Sequence, residues 1–149
     1  MMIHQTLHVL GFHSNAYPYW KDSTGGAYEA PQPVSSGILR GKPVWKLTTE
    51  GALAQARIEF GCDELEGIDL ESSGQINAAG SNWEKRIMYN DILARGLEFE
   101  SNLYSKISLL ALQDTGWYQA NLDYGQEVVW GKGRGCTFFT NLCVLNSDP

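Results

Sequence analysis

Apolar side chains at the start of the chain recur with a helical period. Ile3, Leu7 and Leu10 stand at i, i+4 and i+7, and Gly11 occupies the place where a helix end favours glycine, so a helix is predicted over 2–12. From 14 to 36 the period is lost among Pro18, Gly25, Gly26, Pro31 and Pro33, a loop composition. Residues 44–47 alternate apolar and polar and predict a short strand. Thr48 or Thr49 can cap a second helix over 49–60, with Leu53, Ala56 and Phe60 on one face and Gly61 beyond its end. The stretch 62–80 reads as loop. Ser81 can cap a third helix over 82–93, where Trp83, Ile87, Met88 and Ile92 form a broad apolar face. After Ser105 a fourth helix is predicted over 106–115. Its Ile107, Leu109, Leu110, Ala111 and Leu112 surround the axis, so it should be the most buried helix, ended by Gly116. The tail 128–143 is aromatic, Gly-rich and irregular. These elements predict an α+β fold, mainly helical, in one domain spanning 1–149, without internal repeats.

Composition narrows the functional classes. With 43% hydrophobic and 19% charged residues the chain is globular in composition rather than disordered. A net charge of −6 and the lack of any basic run argue against a nucleic-acid partner. No stretch approaches the ~20 apolar residues of a membrane span, and the first residues lack the basic segment of a signal peptide, which leaves the compartment open. Five acids fall within 63–71, but without the ligand spacing of a calcium loop they read as a solvated acidic segment. Cys62, Cys136 and Cys143 are too few and too widely spaced for a disulfide scaffold or a zinc knuckle.

Candidate chemistry lies in the first helix. His4 and His8, four apart, place two imidazoles on one helix face about 5–6 Å apart at Cβ, a geometry suited to zinc. Such a pair is also common as two packed or surface histidines. HQTLHVLGF gains meaning from its match to the zincin helix H-E-x-x-H with a glycine after it. Gln5 stands where the glutamate of that motif acts as general base, and an amide neither takes a proton from a metal-bound water nor delivers one to a leaving amine.

In order along the chain, HVLGF, FGCDELEG, GSNWEKRIMYNDIL, SLLALQDTGWYQANLDY and WGKGRGC resemble the leishmanolysin family of zinc endopeptidases, over nearly the whole sequence. The resemblance implies a zincin (metzincin) fold, here its C-terminal catalytic subdomain lacking the N-terminal sheet, with a third histidine ligand far downstream and a Met-turn below the metal. At the third-ligand position this chain has Asn82, a weak ligand for zinc, and at the Met-turn position Leu93, nearly isosteric with methionine. His13 lies one residue short of Ser14, where shorter metzincins place their third histidine, and Glu84 lies two positions past Asn82, on the far side of a helix. The family also implies a disulfide between Cys62 and Cys136, which leaves Cys143 without its partner; reduced, buried thiols are the other reading.

With His4 and His8 vestigial and the base absent, the expectation is a degenerate peptidase that acts as a structural or interaction subunit. No cofactor is expected beyond weakly held zinc. The alternative is a zinc endopeptidase with altered ligands or an incomplete sequence. Because the sequence begins three residues before His4, Ile3, Leu7 and Leu10 are expected to be covered by another protein subunit. Resemblance to the family implies a cell-surface or membrane-associated setting.

Overall fold

The computed structural model describes residues 2–30, 32–39, 41–72, 80–94 and 102–141. In chain order the elements are α1 (Met2–Val9), β1 (Val34–Leu39), β2 (Lys42–Leu47), α2 (Glu50–Phe60), β3 (Ile68–Leu70), α3 (Lys85–Met88), α4 (Lys106–Gln113) and α5 (Thr137–Thr140), with 3₁₀ turns at Tyr17–Tyr19 and Leu122–Tyr124. The fold is a small α+β unit. It is not mainly helical: helices hold a minority of the described residues, and irregular segments carry much of the core.

Three helices form where the apolar period placed them. α1 ends two residues before Gly11, whose φ of +124° turns the chain back so that the Phe12 amide donates to the Leu7 carbonyl. α2 closes on Gly61 in the left-handed conformation, whose amide donates to the Arg57 carbonyl. At its start Thr49 is the cap residue by position, yet its side chain makes no capping bond. The carboxylate of Asp114, just past α4, accepts from the Ala52 amide at 2.8 Å instead. A Cβ on Gly51 would lie 2.4 Å from that carboxylate, so glycine leaves room for a cap supplied by the neighbouring helix. α4 begins on Ser105, whose hydroxyl accepts from the Ser108 amide at 3.0 Å. None of its residues is exposed, as expected for the most apolar helix.

The helix predicted over 82–93 does not form; only Lys85–Met88 is helical, capped by Glu84 rather than Ser81. The backbone there is drawn into sheet-like pairing. Trp83 bridges Leu70 on one side and Ala94 on the other, the Trp83 amide donates to the Leu93 carbonyl and the Glu84 amide to the Asp69 carbonyl. Its apolar residues are buried nonetheless, with Trp83, Ile87, Met88, Ile92 and Leu93 all in the core. The strand expected at 44–47 is the end of β2. It is central in an antiparallel sheet β1-β2-β3, with Val34 opposite Leu47 and Trp45 opposite Leu70. β1 and β3 therefore arise inside or beside segments expected to be loop, and α5 inside the tail expected to be irregular.

The core joins α2, α4 and the sheet to a cluster of rings, Phe12, Tyr17, Trp20 and Trp83, that fastens α1 to the rest. The Trp20 indole donates to the Gly11 carbonyl, and the Trp83 indole to the Ser108 hydroxyl at 2.8 Å. Leu7 and Leu10 are partly buried against the core, and Ile3 stays half-exposed. Among the described residues no helix is long and apolar enough to cross a membrane.

Candidate metal centre

Both histidines of α1 are held by their Nδ1 atoms. His4 Nδ1 lies 2.6 Å from the Ile92 carbonyl, and His8 Nδ1 lies 2.7 Å from the Phe12 carbonyl. A carbonyl oxygen only accepts, so each Nδ1 carries a hydrogen and the Nε2 atoms of the two rings are left to face each other. These two Nε2 atoms are 2.9 Å apart, the rings edge to face with centroids 4.5 Å apart. Two lone pairs at that distance repel unless a cation, a proton or a metal ion, lies between them. Anchoring a ligand histidine through its second nitrogen to a carbonyl is how metal sites fix tautomer and ring direction.

Asn82 reaches His8 by a different route. It lies on the irregular strand before Trp83, with its carbonyl accepting from the Glu71 amide at 2.8 Å. Its Nδ2 donates to the Glu71 carboxylate at 3.0 Å, which fixes the amide orientation. Oδ1 is thereby turned away from Glu71. It is buried with no hydrogen-bond partner, and the Asn82 side chain acts on His8 to favour its charged form. Burial is the larger influence and pushes the His8 pKa down; the charges of His4 and His13 add to that, while the Phe12 carbonyl and Asn82 oppose it.

The remaining candidates fall outside this convergence. Gln5 is exposed on α1 between the two histidines. The His13 ring is 6.4 Å from His8, and its Nδ1 accepts from the Asn15 amide, so it caps its own turn. Ser14 pairs with Ser81, and the Glu84 carboxylate accepts from the Arg86 amide at the start of α3. Leu93 is fully buried, and its amide is held by Asp91 at 2.7 Å. That buried carboxylate also accepts from the Ser108 hydroxyl at 2.7 Å and the Ser105 amide, fixing the turn whose Ile92 carbonyl anchors His4. Asp91 and Glu71 had no signal in the sequence beyond being acids. Cys62 and Cys136 form a disulfide, whereas Cys143 lies outside the described residues.

The histidine pair on α1 is thus steadied by carbonyls of its own helix end and of a buried turn from a later segment. The leishmanolysin family profile matches residues 1–147, and the chain belongs to that family. It is 32% identical to a leishmanolysin-like peptidase of Caenorhabditis elegans, over 94% of this chain and 25% of that protein. With the leishmanolysin-like peptidase of Drosophila melanogaster the identity is 31% over the same shares. Leishmanolysin of Leishmania major is 31% identical over 99% of this chain and 23% of its own length. The chain thus spans about a quarter of the length of these relatives.

Zinc is the metal the family implies. Among the described residues no three His, Cys, Asp or Glu side chains gather closely enough to hold it. The donors available are the two anchored imidazoles and, acting on His8, the orphaned Asn82 amide, a set without a carboxylate that would hold a divalent cation weakly. His4 and His8 would supply nitrogen and Asn82 oxygen. Bound there, zinc would act as a Lewis acid on a coordinated water. This chain places no carboxylate at position 5 to receive the proton.

Proposed function

We propose that this chain is a leishmanolysin-family member that has lost peptide hydrolysis and serves as a structural or interaction element of a larger assembly. The observation that carries the reading is Gln5. It occupies the general-base position of the helix motif, and losing general-base catalysis costs on the order of 10² to 10⁴ in rate. Asn82 in the ligand cluster adds to it, since a neutral oxygen binds zinc less firmly than a third imidazole would. Support for an interaction role comes from α1, whose Val9 is 87% and Ile3 50% exposed. The test is hydrolysis of a quenched-fluorescent peptide library by the zinc-supplemented chain. Turnover at background is expected. Cleavage that a chelator and His4→Ala both abolish would overturn the reading. In that case the anchored histidine pair would belong to a zinc endopeptidase with an altered ligand set, the alternative it favours. The assembly role is tested by the native mass of the purified material, and a monodisperse monomer would count against it.

A further inference from the structure

Away from His4, His8 and Asn82, a cavity of about 980 Å³ opens between α3, the turn at Trp130 and α5. One wall is aromatic: Tyr89 and Trp130 lie with ring centroids 5.3 Å apart, and Trp130 and Phe138 at 6.2 Å. Tyr89 is 41% and Trp130 49% exposed, so the wall faces water. Its shape is built in. The Arg86 guanidinium donates to the carbonyls of Phe138 and Phe139 at 2.7 and 2.8 Å, and the Trp130 indole donates to the Arg86 carbonyl at 2.9 Å. Cys136, at the start of α5, is tied to Cys62. Tyr89 itself takes φ +42°, a conformation that side-chain-bearing residues avoid and that tends to persist at functional surfaces.

The same cavity holds two charges that this acidic chain leaves unmatched. Lys132 is paired with Glu127. Arg86 spends its donors on neutral carbonyls, and among the described residues neither it nor the exposed Arg134 has a carboxylate partner. In a molecule of net charge −6, an aromatic shelf flanked by two uncompensated guanidinium groups selects an anion that carries an apolar group. The volume lies at the upper end of small-ligand cavities, about 300–1,000 Å³, and the exposed wall leaves it open on one side, which suits an extended chain better than an enclosed small molecule.

We propose that this shelf binds an extended acidic peptide segment, with an aromatic or aliphatic side chain on Tyr89 and Trp130 and a neighbouring carboxylate on Arg134. The assignment does not depend on whether the histidine centre is active. The test is titration of the ¹⁵N-labelled chain with an acetylated, amidated Phe-Glu-Glu peptide, followed by NMR at the Trp130 indole and the Arg134 amide. Saturable shifts at both are expected, weaker by about fivefold or more with Phe-Gln-Gln or Gly-Glu-Glu, and reduced at high salt. Arg134→Glu, at an exposed residue whose side chain has no carboxylate partner among the described residues, should leave the fold intact and weaken binding by about tenfold. Four outcomes would overturn the proposal: no saturation, equal binding of Phe-Gln-Gln, indifference to Arg134→Glu, or displacement by inorganic phosphate alone. Shifts that grow with protein concentration in the absence of peptide would assign the shelf to a second copy of the chain and overturn it as well.

Discussion

Replacing Glu71 by alanine takes away the acceptor that holds the Asn82 amide at 3.0 Å. A hydrogen bond to a charged group is worth about 1.5–3 kcal/mol, enough to hold the amide in this one orientation in nearly every molecule. Without it the amide is free to turn over and donate Nδ2 to a histidine lone pair. That neutral bond, about 1 kcal/mol, would leave roughly one molecule in six with the oxygen correctly placed, so zinc affinity should fall about sixfold. Changes to outer partners in metal sites cost about 10–100-fold, so sixfold is a lower bound if the rings also shift. The rings need little movement to accept a metal. Two nitrogens on a tetrahedral zinc lie about 3.3 Å apart; here they are 2.9 Å apart. Competition with a chromophoric chelator measures the affinity, and cobalt(II) absorption reports the coordination geometry. Glu71→Gln keeps an acceptor and should bind close to the native chain. Equal affinities for the native chain, Glu71→Ala and Asn82→Ala would refute both the orientation argument and the place of Asn82 among the donors.

Three further outcomes follow from the fold. Changing Cys62 and Cys136 both to serine opens a cross-link spanning 74 residues, and the chain-entropy estimate for that loop is about 4.5 kcal/mol, measurable by urea denaturation; a loss below about 1 kcal/mol would contradict it. Asp91 is fully buried, and burial raises its pKa despite bonds from Ser105, Leu93 and Ser108. Between the unfolded value, about 3.9, and that raised value the native state keeps a proton the unfolded chain has lost, so this contribution to stability is complete at low pH and declines as pH rises. Asp91→Asn should remove that slope from stability measured against pH. Gly11→Ala would put a Cβ 2.6 Å from the Trp117 ring at φ +124°. It should destabilise by roughly 1–3 kcal/mol in thermal unfolding and weaken zinc binding by displacing the Phe12 carbonyl from His8.

α1, α2 and α4 were legible because each buries one stripe or its whole girth and is followed within three residues by a glycine of positive φ, so local pattern and final environment agree. The segment 82–93 was misread for a physical reason: apolar residues at helical spacing are buried equally well when Trp83 pairs with Leu70 and Ala94 and the turn at Asp91 folds back on α4. β3 is three residues long, all buried, and β1 is partly exposed with a glycine inside, so neither shows a period of two.

By itself the sequence determined that His4 and His8 share a helix face, that Gln5 between them has no carboxylate, and that α4 would be buried, because these follow from the 3.6-residue period and side-chain chemistry. Family resemblance supplied the Cys62–Cys136 pairing and the position of Asn82; spacing alone gives neither. Only the tertiary structure decided the direction of each imidazole, through the carbonyls of Ile92 and Phe12, the orientation of Asn82, through Glu71, and the cap of α2, through Asp114. All of these partners except Phe12 are eleven or more residues distant along the chain from the groups they hold. Hydrogen bonds between distant segments depend on where packing brings two backbones together, and no local periodicity records that.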